Sequence, residues 1–197
     1  RWSLWLLLPA LSACMSMYDR TGADDVQRYA AVVASPLRTD QDRKTDAERH
    51  PAEFLAFTGV APGMRVLDVS AGGGVTSQLL AAAVGPGGIV YAQTQRPGAA
   101  LIKRLDDRPQ ANLVIVTQPF EQLVPDDTTM LDRVTLVQNY HDISYLPVDR
   151  NKMNRRIFDA LKPGGHYIVI DHAGRPGTGI AEGKTLHRID EAVELVQ

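Results

Sequence analysis

Val66-Leu67-Asp68-Val69-Ser70-Ala71-Gly72-Gly73-Gly74 decides how this chain is read. A short apolar run with β-branched residues ends in small residues. Val75-Thr76-Ser77-Gln78-Leu79-Leu80-Ala81-Ala82-Ala83 follows and reads as a helix. Strand, glycine turn and helix form the first unit of a nucleotide-binding α/β domain. Glycines without Cβ atoms let backbone approach a ligand closely. The helix N-terminus offers unpaired N–H groups to the same ligand. Asp68, near the strand end, can accept from N–H or O–H groups around the turn. The plainer alternative is a tight turn between a buried strand and its helix.

Outward from this stretch, strands and helices alternate, which implies a parallel sheet. Strands are expected at 65–69, 89–93, 113–116, 133–138 and 167–171, and helices at 75–84, 98–107 and 147–161. Gly85-Pro86-Gly87-Gly88 breaks the first helix, and Lys162-Pro163-Gly164-Gly165 stops the third. Upstream, Pro51 opens a helical face carrying Phe54, Leu55 and Phe57. Val26 to Ala34 reads as a short helix stopped by Ser35-Pro36.

The chain has 197 residues, enough for one α/β domain with a sizeable core. Its net charge of −2 gives no nucleic-acid footprint. A single cysteine, Cys14, excludes an internal disulfide and a cysteine-based zinc site. Arg1 precedes the apolar run Trp2 to Leu11, too short to span a bilayer. Leu11-Ser12-Ala13-Cys14 resembles the lipobox of bacterial lipoproteins. That resemblance implies a signal peptide over 1–14, lipidation of Cys14 and a membrane anchor in the cell envelope. Met15 after the cysteine then favours the outer membrane; unused, the signal would leave the protein cytoplasmic. The alternative is an N-terminal segment with a chance cysteine. Residues 15–45 read as a tether or lid, and 46–197 as the domain.

The order of elements resembles the class I S-adenosylmethionine-dependent methyltransferases over roughly 50–172. Val66-Leu67-Asp68 with its glycines, Gly87-Gly88-Ile89-Val90-Tyr91-Ala92, and Leu161-Lys162-Pro163-Gly164-Gly165 carry the likeness. His50-Pro51-Ala52-Glu53, Asp171-His172-Ala173-Gly174-Arg175-Pro176-Gly177 and Thr185-Leu186-His187-Arg188-Ile189-Asp190 resemble a poorly characterised bacterial family of predicted methyltransferases. The implied fold is α/β, a Rossmann-like sheet with helices on both faces. The implied activity is methyl transfer from S-adenosylmethionine to an acceptor, a small molecule that the residues do not name.

The resemblance also assigns roles. Ala71, Gly72 and Gly74 would line the methionine and ribose part of the cofactor, above Asp68. The acid that usually closes strand two is missing, so Gln93 or Gln95 would accept a ribose hydroxyl without charge assistance. Ser70 replaces the first glycine of the usual turn. Gln118 and Phe120 would cover the adenine. Tyr140 and His141, after strand four, are the catalytic candidates, to position or deprotonate the acceptor. His141 reads equally as a hydrogen-bonded loop histidine. Asp142, Asp171 and His172 could hold a divalent metal or serve as helix caps. His187 and Arg188 fall on a late helical segment that could fold over the site or present a solvated face.

Two further classes stay open. Arg96 past strand two could meet the 2′-phosphate of NADP in a reductase, although the turn is not Gly-x-Gly-x-x-Gly. A lipid-anchored binding protein could keep the fold without catalysis. The resembled fold has seven strands. After Asp171 only a Gly/Pro-rich loop and one helical stretch from Leu186 to about Val196 are expected, so strands six and seven are expected to be missing and the chain to be a fragment.

Overall fold

In a computed structural model, residue 25 and residues 27–195 are described. Cys14 and the expected signal lie outside them. Helical residues 27–33 (α1) precede α2 (Asp40–Lys44), α3 (Asp46–Arg49) and α4 (Pro51–Thr58). The alternating part runs β1 (Arg65–Val69), α5 (Val75–Val84), β2 (Ile89–Thr94), α6 (Ala99–Asp107), β3 (Leu113–Thr117), β4 (Leu131–Val137), α7 (Tyr140–Tyr145), α8 (Arg150–Ala160) and β5 (Leu161–Ile170). Short α9 (Gly183–Leu186) and α10 (Glu191–Leu195) follow.

The five strands form one parallel sheet in the order β3-β2-β1-β4-β5. β1 is central because helices cover both of its faces and every residue from Val66 to Val69 is buried. Alternate residues of β1 serve opposite layers. Val66 packs with Leu79, Leu80 and Val84 of α5, whereas Leu67 and Val69 pack with Met153 and Ile157 of α8. α1 joins the first layer through Tyr29 and Val32, and Tyr29 Oη donates to the Val60 carbonyl at 3.0 Å.

Three elements differ from the sequence expectation. α8 starts at Arg150, three residues after Pro147, because the Asp149 carboxylate caps it by accepting from Lys152 N at 3.0 Å. The Leu-Lys-Pro-Gly-Gly stop lies inside β5. Leu161 pairs with Leu131 and His166 with Arg133, so residues 162–165 bulge out of the ladder. Gly165 is required there, since a Cβ would stand 2.8 Å from the Leu131 carbonyl. The late helix is broken as well. His187 turns left-handed at φ 54°, and Ile189 bridges to Ala173 in parallel. Asp190 then accepts from Ala192 N at the start of α10 and from Gly177 N.

Among the described residues the sheet has five strands, and β5 pairs only with β4. No helix among them is long and apolar enough to cross a membrane.

Candidate functional site

The strand order reverses between β1 and β4, and a crevice opens at their carboxyl ends, where open α/β sheets bind ligands. A small polar cavity of about 190 Å³ lies there, lined by Asp68, Ser70, Gly72, Gly73, Gln138 and Asn139 among others. A larger cavity of about 640 Å³ adjoins it. Arg49, Val75, Thr76, Val137 and Gln138 line both. The larger cavity is walled by Phe54, Phe57, Leu79, Val169, Ile170 and Ile189, with Asp171 and His172 at the end of β5. The apolar face of α4 and the segment after β5 therefore close over the strand ends.

Two non-glycine residues of the small cavity hold left-handed backbone: Ser70 at φ 58° and Gln138 at φ 52°. Such conformations persist only where the surroundings impose them, and they concentrate at ligand sites. Ser70 N donates to Gln93 Oε1 at 2.9 Å, and Gln138 N donates to the Ile170 carbonyl at 2.6 Å. These bonds tie the end of β1 to β2 and the end of β4 to β5.

Asp68 forms the floor of the small cavity and is almost wholly buried. Burial pushes its carboxyl up to about 6, against hydrogen bonds donated by Ser77 Oγ at 2.5 Å and Thr135 Oγ1 at 3.1 Å. Ala71 and Gly72 line the small cavity. Gly72 is left-handed at φ 54°, and a Cβ there would meet only the Ser70 carbonyl, at 3.9 Å.

The other proposed ligand contacts lie elsewhere. Gly74 faces α6, where a Cβ would meet Leu101 Cδ1 at 2.6 Å, so it serves helix packing; Gly73 lines the cavity instead. Gln93 is fully buried, with its amide engaged by backbone: Oε1 by Ser70 N and Nε2 by the Gln118 carbonyl at 2.6 Å. It is a brace between strand ends. Gln118 lines neither cavity and offers that carbonyl, while Phe120 is core. Tyr140 is core as well and lines neither cavity. His141 is buried behind the larger cavity, its Nδ1 2.7 Å from Asp171 Oδ1. Asp142 stands with His141 and His187, a group that does not include Asp171 or exposed His172. Arg188 is exposed.

Sequence reading missed the residue that fixes the glycine turn. Arg104 Nε on α6 donates to the Gly73 carbonyl at 2.9 Å, and its other nitrogens donate to both Asp42 oxygens at 2.9 and 2.8 Å. Burial opposes the charge of Asp42, but hydrogen bonds from Arg104 and Thr39 outweigh it and hold the carboxyl well below the usual range. This bidentate pair joins α2 to α6 across 62 residues of sequence, a separation that no local pattern reveals.

No family model matches the chain. It is 28% identical over 125 residues to a ubiquinone/menaquinone biosynthesis C-methyltransferase, UbiE, of Ectopseudomonas mendocina, covering 62% of this chain and 47% of that protein. It is 28% identical over 131 residues to a demethylmenaquinone methyltransferase of Symbiobacterium thermophilum, covering 66% and 50%. The chain spans about half the length of these curated relatives. A crystal structure of a SAM-dependent methyltransferase from Aquifex aeolicus superposes with a TM-score of 0.55 at 20% identity, over 64% of this chain and 66% of that one. The fold is thus the Rossmann-like α/β fold of class I methyltransferases.

Proposed function

We propose that the chain transfers a methyl group from S-adenosylmethionine to an apolar, ring-bearing small molecule. The observation that carries this reading is the pair of adjoining cavities at the switch point, one small, polar and glycine-rich, the other large and apolar. The residues present suit the cofactor. Backbone at Ala71 to Gly73 comes without bulky side chains, α5 points its N-terminus at the crevice, and Asp68 supplies a buried acid beneath. When bound, S-adenosylmethionine supplies an electrophilic methyl on a sulfonium. The chain's own part is positioning: Val137 and Gln138 stand where the two cavities meet, and the walls of Phe54, Leu79 and Ile170 exclude water from an aligned acceptor. In such a complex the acceptor's electron pair would form the new bond to the methyl, the methyl–sulfur bond would break with its pair staying on sulfur, and the acceptor's proton would pass to solvent. The names of the two curated relatives favour a quinol-type acceptor, which the apolar walls would suit.

Calorimetry with S-adenosylhomocysteine tests the reading, using Gly73→Val as the control. Gly73 lines the small cavity and has ordinary room for a Cβ, 3.8 Å from Ala100. The variant should fold like the parent and bind at least tenfold more weakly. Equal binding by both proteins, or none by the parent, refutes the assignment. None by the parent would favour the binding-protein alternative.

The Leu11-Ser12-Ala13-Cys14 motif supports a second proposal, that Cys14 is lipidated and anchors the protein to a membrane of the cell envelope. Mass spectrometry of the mature N-terminus decides it. An unmodified Cys14 still preceded by Ala13 would overturn it.

A further inference from the structure

Away from both cavities' open space, the described residues bring together one group of metal-type donors. His141 Nε2 and His187 Nδ1 are 3.2 Å apart. Asp142 Oδ1 lies 3.5 Å from the first and 3.9 Å from the second. Donors about 2.1 Å from a shared ion, at tetrahedral to octahedral angles, stand roughly 3.0–3.4 Å apart. The triangle is close to that size, and a small rotation of Asp142 would complete it. The two rings meet edge-on at 77°, so their nitrogens converge and their faces do not stack.

The surroundings prepare these donors. Asp171 Oδ1 accepts from His141 Nδ1 at 2.7 Å, and the same carboxylate accepts from the backbone N of His141 and of His172, each at 2.8 Å. A carboxylate on Nδ1 holds the proton there and leaves Nε2 as a lone pair aimed at His187 and Asp142. This carboxylate–histidine pairing is the arrangement found behind metal-bound imidazoles. His141 and Asp171 keep only 4% and 1% of their side chains exposed, so the pair is rigid. Asp142 is steered by Asn139 Nδ2 at 3.1 Å and Tyr145 Oη at 2.6 Å. His187 is set by its left-handed backbone at the end of α9.

We propose that His141, Asp142 and His187 bind one divalent transition-metal ion of the zinc type. Two imidazoles and one carboxylate suit zinc, cobalt or iron and disfavour magnesium and calcium, which take oxygen ligands. His187 is 64% exposed, so water fills the remaining positions. The ion joins α7 to the turn after α9, and so fastens the segment after β5 to the domain. That segment gives Ala173 and Ile189 to the wall of the larger cavity. The ion's role is to brace this wall, and no step of methyl transfer passes through it.

The test is titration of the full chain, stripped with chelator, with Co²⁺ alone, followed by visible absorption. One Co²⁺ should bind per chain, be displaced by Zn²⁺, and be unaffected by excess Mg²⁺. His187→Asn keeps a residue that tolerates left-handed backbone. It and Asp142→Ala should each weaken binding at least tenfold, with circular dichroism unchanged. Asp171→Asn should weaken it ten- to a hundredfold. The competing arrangement is a simple hydrogen bond from His187 Nδ1 to His141 Nε2. A folded parent that shows no saturable 1:1 cobalt spectrum, or equal binding in His187→Asn, establishes that arrangement and overturns the metal site.

Discussion

At the scale of single residues, the crevice is built from groups held where they would not rest alone. Asp68 is the clearest. Its carboxyl is pushed up to about 6 by burial, so the folded state holds the proton more tightly than the unfolded chain does. Its contribution to stability is therefore fully present below about pH 4 and is lost as pH rises to about 6. Urea midpoints should show wild type losing stability relative to Asp68→Asn between pH 4 and 6.5, and a flat difference would show that the acid is not desolvated. Gly74→Ala tests the packing assignment: the new methyl meets Leu101 at a left-handed position, and about 1–3 kcal/mol should be lost by denaturant unfolding. Asp68, Ala71 and Gly72 were legible because one local pattern, strand then small residues then helix, fixes where they point. Gln93 and Tyr140 were not. A residue at a strand end can face either the crevice or its neighbours, and only the packed partners decide.

At the scale of elements, caps and cross-links set boundaries that composition blurs. Asp149→Ala removes the N-cap of α8 and should cost about 1 kcal/mol, read as a lowered thermal midpoint. Arg104→Ala should cost about 3 kcal/mol by leaving Asp42 buried and unpaired, and it should weaken S-adenosylhomocysteine binding by freeing the Gly73 carbonyl. An effect on stability with no effect on binding would separate α6 from the turn. β1 to β4 stood within a few residues of expectation because buried parallel strands read as apolar runs. α7 was invisible: Tyr140 to Tyr145 is a six-residue helix without apolar periodicity, buried through Tyr140, His141, Ile143 and Ser144.

At the scale of the whole molecule, two core layers share one sheet. Leu80 of α5 lies in one and Leu136 of β4 in the other, both fully buried. Each to Ala should cost about 2–5 kcal/mol. Because β1 contributes alternate residues to both layers, each variant should still unfold in a single transition by fluorescence and by circular dichroism. Two separated transitions would mean that the layers fold independently.

The bulge at residues 162–165 makes the sheet tolerant of changes in chain length at one point. Five steps along β5, from Leu161 to His166, are matched by two along β4, from Leu131 to Arg133. The slack already sits outside the ladder. One glycine inserted after Gly164 would lengthen a loop and leave every pair from His166 to Ile170 in place. The same glycine inserted after Tyr167 would turn Ile168, Val169 and Ile170 onto opposite faces, taking Val169 out of the core layer it packs against and disturbing the wall of the larger cavity.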